Sequence, residues 1–177
     1  MYFKNFQKGL YDIKGDGNQK LVTDLMTRVK VREKIVNEAM LYDTYDVPSG
    51  EKPEDTAYKH FGSSQYHWVI LLTNNITDRY YGWPLSEQDF ETYITDKYDN
   101  PDAVHHYEIT QSSGTQTGNS PDDYSHKIEV NSTEPGAQSV SNREYEQRLQ
   151  DEKRTIKLLD PQFLGIFLQE FEKLITK

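Results

Sequence analysis

The amino-acid sequence predicts an α+β fold, with strands and helices in separate stretches of one chain of moderate size. Short alternating segments over 41–47, 104–110 and 154–159 are typical of strands, whereas apolar residues recur at helical spacing over 161–175. Only 34% of the 177 residues are hydrophobic and the mean hydropathy is -0.89. The apolar side chains must therefore be concentrated in these segments, and the length is sufficient for one core.

The N-terminal part contains an aromatic arm with a pattern of mixed type behind it. Tyr2, Phe3 and Phe6 precede a turn at 14–18, and an arm of this composition usually docks on another surface. Spacing from Leu21 to Leu41 is partly helical and partly strand-like, so it predicts a short helix, a strand and an irregular connection. We expect four regions along the chain: an N-terminal arm and helix (1–40), a core with a following helix (41–100), a polar β-hairpin insertion (101–140) and a C-terminal helix-strand-helix segment (141–177).

The segment from Leu41 to Asp78 predicts a strand, two short helices and a second strand. Residues 42–47 alternate as a strand, Pro53 is suited to the first turn of a helix that ends at Gly62, and Ser63 or Ser64 can cap a second helix that stops at Asn74-Asn75. Ile76-Thr77-Asp78 is expected to begin the second strand. This βααβ layout resembles a LysM-type module, and its expected core residues are Ala57, Phe61, Trp68, Leu71 and Leu72.

Beyond Asp78 the sequence predicts an aromatic loop over 79–84 and a helix capped by Ser86. Residues 104–110 and 127–130 are expected to pair as strands, with Tyr107 and Ile109 facing Ile128 and Val130. The polar segments 111–123 and 131–142 predict a long hairpin tip and a loop. A capping box at Ser141 then begins a charged helix, residues 154–159 form a strand, and Asp160-Pro161 caps the final helix.

Charge and residue types exclude several classes of chemistry. Residues 41–140 contain five Lys or Arg against seventeen Asp or Glu, which disfavours binding to nucleic acid. The basic cluster Arg28, Lys30, Arg32 and Lys34 is interpreted as a solvated face. There is no cysteine and no apolar run long enough for a bilayer. No histidine spacing fits a metal site and no catalytic constellation is present, so we expect no metal, no cofactor and no enzymatic activity.

A calcium loop is also disfavoured by the turn near the N-terminus. Asp12, Asp16 and Gly17 fall at the first, fifth and sixth positions of such a loop, but Lys14 occupies the third position and Thr23 the twelfth, where a bidentate glutamate is needed.

A family resemblance appears over roughly residues 20–110. The runs that carry it are Tyr45-Asp-Val-Pro-Ser-Gly-Glu-Lys-Pro-Glu-Asp-Thr-Ala-Tyr, Phe61-Gly, His67-Trp-Val-Ile-Leu-Leu-Thr-Asn-Asn-Ile-Thr-Asp, Tyr81-Gly-Trp-Pro and Tyr93-Ile-Thr-Asp-Lys-Tyr. Together they resemble the baseplate wedge protein fifty-three family of T4-like contractile-tailed phages. The arm and the segment from Glu144 to Thr176 are similar to the ends of that family, whereas residues 111–138 match nothing in it.

The resemblance implies a structural virion protein with a LysM-like core. Such a protein would join adjacent wedges of a six-fold tail baseplate by contacting the helical bundle of other baseplate wedge proteins, without nucleic acid or membrane partners. It would be made in the host cytoplasm and reside in the virion. The alternative is a LysM-type module that binds peptidoglycan or another glycan, with sugars stacked on Tyr80, Tyr81 and Trp83. A single copy of the module without an export signal favours assembly.

The expected assembly surfaces are the two apolar ends of the chain. The arm from Tyr2 to Ile13 and the helix from Pro161 to Ile175 have more apolar surface than a small core can cover, and we expect them on opposite sides of the molecule. The predicted partner-binding residues are Tyr2, Phe3, Phe6, Phe163, Phe167 and Phe171.

Overall fold

The computed structural model describes residues 2–32, 35, 38, 40–114 and 121–176, and it divides the chain into two compact units. Unit 1 comprises Met1–Pro84 together with Lys153–Lys177, and unit 2 comprises Leu85–Glu152. The predicted α+β class is confirmed. Unit 2 is thus continuous in sequence, whereas unit 1 is built from two separated parts of the chain.

Unit 1 begins with a β-hairpin where the sequence predicted the start of a helix. A 3-10 turn at Tyr2–Asn5 leads into β1 (Lys8–Tyr11), which pairs antiparallel with β2 (Lys20–Thr23). The carboxylate of Asp12 accepts backbone N–H groups from four residues of the connecting turn, Lys14 to Gly17. Asp12 therefore closes the turn. Within the segment of mixed spacing, Val29–Val31 has the alternating sequence of a strand but forms none, and part of the expected helix lies outside the described residues.

The next three elements agree with the sequence prediction. β3 spans Tyr42–Asp46, α1 spans Pro53–Phe61 and α2 spans His67–Thr73, preceded by a 3-10 turn at Ser64–Tyr66. Gly62 ends α1 with a φ of 73°, and Asn75 follows α2 with a φ of 55°. Both residues take the left-handed conformation that commonly follows a helix.

The predicted second strand at Ile76–Asp78 is wrong. β3 instead pairs antiparallel with β7 (Thr155–Leu159), in register from Tyr42 with Leu159 to Asp46 with Thr155. Asn74 fixes this arrangement, because its side-chain amide donates to the Lys157 carbonyl at 2.8 Å and accepts the Lys157 N–H at 2.8 Å. Asp78 caps a helical turn, α3 (Arg79–Gly82), where the sequence predicted a loop.

The core of unit 1 has two apolar clusters on either side of α2. One contains Trp68, Val69 and Leu72 together with buried residues from the arm, β3, β7 and the last helix, namely Phe6, Tyr42, Leu159, Phe171 and Ile175. The other consists of Val47, Ala57, Ile70, Trp83, Ile156 and Leu158. Phe61 is partly buried against both clusters and Leu71 against the second. Since α2 is apolar on all sides, it must be enclosed in this way.

Unit 2 contains two helices and a three-stranded antiparallel sheet. Its helices are α4 (Glu87–Lys97) and α5 (Asn142–Arg154), of which the last two residues fall in unit 1. Its strands are β4 (Val104–Gln111), β5 (His126–Val130) and β6 (Gln138–Ser141), in the order β5-β4-β6. The predicted register is confirmed, since Tyr107 pairs with Val130 and Ile109 with Ile128. Strand β6 was missed because Val140 is its single apolar residue. Residues 115–120 of the predicted hairpin tip lie outside the described residues.

His105 and His106 are neighbours in β4. The alternation of side chains along a strand would place them on opposite faces of the sheet, but their rings are in contact. The pairing of β4 with β6 shifts register between Val104 and His106. This irregularity brings Nδ1 of His105 within 2.9 Å of Nδ1 of His106, and the His105 ring stacks on Tyr145 with centroids 4.1 Å apart. The disturbed pairing explains why the rule of alternating faces fails here.

Charged groups are buried in unit 2. Glu108 accepts hydrogen bonds from Arg148 and Lys127, and Glu146 accepts from Lys97 and Tyr98. Unit 2 contains only four Lys or Arg against fifteen Asp or Glu, and each of the four pairs with a carboxylate of the same unit. The resulting net charge of unit 2 is -11, while unit 1 has a net charge of +2.

Candidate interaction surface

The arm and the last helix meet in one aromatic cluster of unit 1. After a 3-10 turn at Pro161–Phe163, α6 spans Leu164–Ile175. The ring of Tyr2 lies 5.2 Å from Trp68 and 5.4 Å from Phe171, and the rings of Trp68 and Phe171 are 4.6 Å apart. Gln7 Nε2 also donates to the Thr176 carbonyl at 2.8 Å. The expectation that the two apolar ends lie on opposite sides is therefore wrong.

The six predicted partner-binding residues differ widely in exposure. Phe6 and Phe171 are only 6% and 4% exposed, because the arm and α6 cover each other. Tyr2, Phe163 and Phe167 are partly buried, and Phe3 is 58% exposed. The cluster thus contains buried anchors that hold the arm in place and outer rings that remain accessible.

Two apolar grooves lie beside this cluster. The first, called the α6 groove, has a volume of about 340 Å³, and its lining residues are Val29, Lys30, Val31, Arg32, Ile35, Tyr42, Leu72, Phe167, Glu170, Phe171 and Leu174. The second, called the arm groove, has a volume of about 420 Å³ and is lined by Tyr2, Phe3, Phe6, Leu25, Thr27, Arg28, His67, Trp68, Leu71, Leu72, Ile76 and Thr77. Every predicted partner-binding residue except Phe163 lines one of the two grooves.

The hairpin β1–β2 is a third apolar surface, in which the end of the predicted arm (Tyr2 to Ile13) pairs with a strand that the sequence did not predict. Leu10 and Leu21 lie opposite each other in the register, and both are exposed, as is Ile13 in the connecting turn. A two-stranded hairpin with so little burial is marginally stable by itself. The signal in the sequence was weak, because each strand has only four residues and Gly9 interrupts the first.

Trp83 is not available as a platform for sugars. It is 6% exposed, packs in the second apolar cluster and donates its indole N–H to the Glu51 carbonyl at 2.8 Å. Tyr80 and Tyr81 remain exposed on α3. One ring of the predicted trio therefore belongs to the core and the other two to the surface.

Glu51 is a buried carboxylate next to this tryptophan. Its side chain accepts hydrogen bonds from Thr56, Tyr45 and Lys59. Burial alone would raise the pKa of Glu51, but the hydrogen bonds from Lys59, Thr56 and Tyr45 outweigh burial and lower it. Glu51 thus remains charged and joins β3 to α1. Nothing in the sequence distinguished it from an ordinary loop residue.

The described ranges also bear on metal and membrane binding. They include no group of three or more histidine, aspartate or glutamate residues placed to hold a metal ion. No helix within them combines the length and apolar character needed to cross a membrane.

An aromatic cluster, two apolar grooves and an exposed hairpin are typical of a structural protein that functions by binding other proteins. A family model described as base plate wedge protein 53 matches residues 1–116. The chain belongs to this family of baseplate wedge proteins. The predicted resemblance is thereby confirmed.

One curated relative is the baseplate wedge protein gp53 of Enterobacteria phage T4. It is 35% identical over 57 residues, which is 32% of this chain and 29% of that protein. The aligned stretch therefore spans less than a third of the relative. The family match ends at residue 116, so the similarity of the segment Glu144 to Thr176 to the family's end stays a prediction.

Proposed function

We propose that this protein joins adjacent wedges of a contractile-tail baseplate through protein–protein contacts made by the arm and α6. The observation that supports this function best is the aromatic cluster, in which buried anchors hold a partly exposed apolar surface in place. Large aromatic rings of this kind dominate binding energy at protein interfaces. The family supports the baseplate role, and the contacts themselves are our proposal.

Two separate grooves suit a linking function. A protein that connects neighbouring wedges in a six-fold ring must present two different surfaces, because head-to-tail contacts are what close a ring. The α6 groove and the arm groove share Leu72 but have otherwise different linings. Each could therefore hold a segment from a different wedge protein.

We further propose that β3, α1, α2 and β7 form a LysM-type unit with a long insertion. The antiparallel pair β3–β7 and the two helices that follow β3 supply the elements of that layout. The second strand, β7, does not follow α2 directly. Residues 74–154, which include the whole of unit 2, lie between α2 and β7 in the chain. A solved structure of the protein that separates β3 from β7 would overturn this correspondence.

Co-expression with the other wedge proteins of the same phage, followed by pull-down, tests the linking function. The double variant Phe3→Glu/Phe167→Glu changes one accessible ring in each groove. We expect this double variant to keep the circular dichroism spectrum of the wild type but no longer to co-purify with the wedge proteins. Tyr80→Glu is the matched control, since it changes an exposed aromatic residue outside the lining of both grooves. Equal recovery of wedge proteins by the double variant and the control would contradict the proposal.

A further inference from the structure

The α6 groove combines an apolar floor with a basic rim. Residues 29–32 alternate in burial, with Val29 and Val31 packed on the core cluster and Lys30 and Arg32 exposed. These residues form no strand within the described part of the chain, yet their side chains alternate between buried and exposed as those of a strand do. The groove therefore has the two features that recognise an amphipathic segment, an apolar surface and an adjacent charge of defined sign.

Positive charge extends beyond the rim itself. Residues 2–32 contain seven Lys or Arg against three Asp. Arg28 donates to the neutral side chain of Asn75, so that contact leaves its charge uncompensated. The one carboxylate among the lining residues is Glu170, which lies 3.8 Å from Lys173 of the same helix. The lining thus combines an apolar floor with two cations and one carboxylate, although the chain as a whole has a net charge of -9.

We infer that the α6 groove binds an acidic, amphipathic segment of another baseplate wedge protein, with apolar side chains against Phe167 and Leu174 and a carboxylate against Arg32. This inference rests on the proposed function and names the chemistry of one partner. A neutral segment would gain nothing from the basic rim. A basic segment would be repelled by it.

Crosslinking identifies the occupant. A photoreactive benzoylphenylalanine is placed at Leu174, which is 41% exposed and lines the groove, and in a matched protein at Ile166, which is exposed on the same helix but does not line it. Each protein is assembled with the wedge proteins of the same phage and irradiated. We expect a crosslink at 174 to a wedge-protein peptide that contains apolar residues with Asp or Glu beside them, and little product at 166.

Charge reversal then tests the rim. Arg32→Glu should slow association with that wedge protein about tenfold at low salt and weaken the salt dependence, since rim charges act mainly on the association rate. Lys14→Glu makes the same change in the exposed turn of the β1–β2 hairpin and should have little effect. Changing the crosslinked carboxylate of the partner to lysine should restore association to Arg32→Glu.

Several outcomes would overturn the inference. They are a crosslink at 174 to a second copy of this chain, a crosslink to a neutral or basic peptide, equal product at 174 and 166, and equal effects of Arg32→Glu and Lys14→Glu. Protein with benzoylphenylalanine at 174 that assembles with the wedge proteins but does not crosslink to them refutes the groove assignment alone. Wild-type protein that captures no wedge protein refutes the proposed function as well.

Discussion

Trp68 has the central position in the larger apolar cluster of unit 1. It is buried between α2, the arm and α6, with Phe171 and Tyr2 as ring neighbours. We expect Trp68→Ala to lower the free energy of unfolding by about 3–5 kcal/mol, the usual cost of truncating a large buried aromatic residue. Urea denaturation measures this loss. Tyr80→Ala, at an exposed ring, should change stability little, and a loss below ~1 kcal/mol for Trp68→Ala would contradict the central role.

Glu108 makes unit 2 sensitive to acid. The hydrogen bond from Arg148 lowers the pKa of Glu108 most, burial opposes this, and Lys127 lowers it further, so that the pKa falls from 4.5 to about 2. Because the folded pKa is depressed, the stabilisation is complete above pH ~4.5 and is lost as the pH falls toward ~2. The denaturation midpoint of the protein should therefore decrease as the pH is lowered across this range.

The variant Glu108→Gln removes the carboxylate and leaves Arg148 and Lys127 without this buried partner. We expect a loss of about 1–3 kcal/mol at pH 7, because charge-assisted hydrogen bonds are lost while Arg148 and Lys127 stay partly exposed and Arg148 keeps Glu144 as a partner. The decline in acid should be shallower than in the wild type. Glu134→Gln changes an exposed carboxylate of the same unit and serves as the control. Parallel pH profiles for the wild type and Glu108→Gln would show that other carboxylates control the acid response.

Asn74 determines which segment of the chain pairs with β3. Its amide makes two hydrogen bonds to the backbone of Lys157 in β7. We expect Asn74→Ala to cost about 1–3 kcal/mol, since the buried backbone groups lose their partner. Hydrogen exchange should quicken at residues 155–159 more than in the helices of unit 2. Uniform acceleration across both units would contradict a local role.

The helix α6 contains two phenylalanines that should respond differently to the same substitution. Phe171 is 4% exposed within the aromatic cluster, whereas Phe167 is partly buried and lines the α6 groove. We expect Phe171→Glu to destabilise unit 1 strongly, because an unpaired charge in a core is costly. Phe167→Glu should retain its circular dichroism spectrum and melting temperature but fail to enter baseplates. Similar melting temperatures for the two variants would contradict this division.

Local sequence signals predicted the ends of the helices, whereas the pairing of strands that are distant in the chain was not predictable from such signals. Pro53, Gly62, Ser63 and Asn75 mark the ends of α1 and α2 through backbone preferences that act within a few residues, so these boundaries were predictable. The sequence predicts a strand at Ile76, but the pairing of β3 with β7 depends on contacts between distant residues. Short strands β1, β2 and β6 contain too few apolar residues for periodicity to reveal them.

The candidate site was predictable in composition but not in geometry. Aromatic residues at both ends indicated an interaction surface. The burial of Phe6 and Phe171 in one cluster was not predictable, because periodicity gives the apolar face of an element and not the element that packs against it. The basic residues Lys30 and Arg32 gained significance only when the apolar lining beside them was known.

Sugar binding can be tested on the whole protein. With Trp83 in the core, the exposed aromatic surface available on α3 is Tyr80 and Tyr81. We expect no saturable binding of chitin oligomers or peptidoglycan fragments at millimolar concentration by calorimetry. Saturable binding that disappears in Tyr80→Ala/Tyr81→Ala would support a glycan-binding module instead.

The separation of β3 from β7 in the chain has a consequence for the order of folding. More than a hundred residues lie between Asp46 and its partner Thr155, and closing so long a loop in an unfolded chain carries an entropic cost that slows strand pairing. Unit 2 shortens this loop when it folds, because the backbone N–H of Leu85 bonds to Oε1 of Gln150 at 3.1 Å and brings its two ends together. We therefore expect unit 2 to fold first on the ribosome. Until β7 has been synthesised, the apolar helix α2 remains without this packing partner and accessible to chaperones.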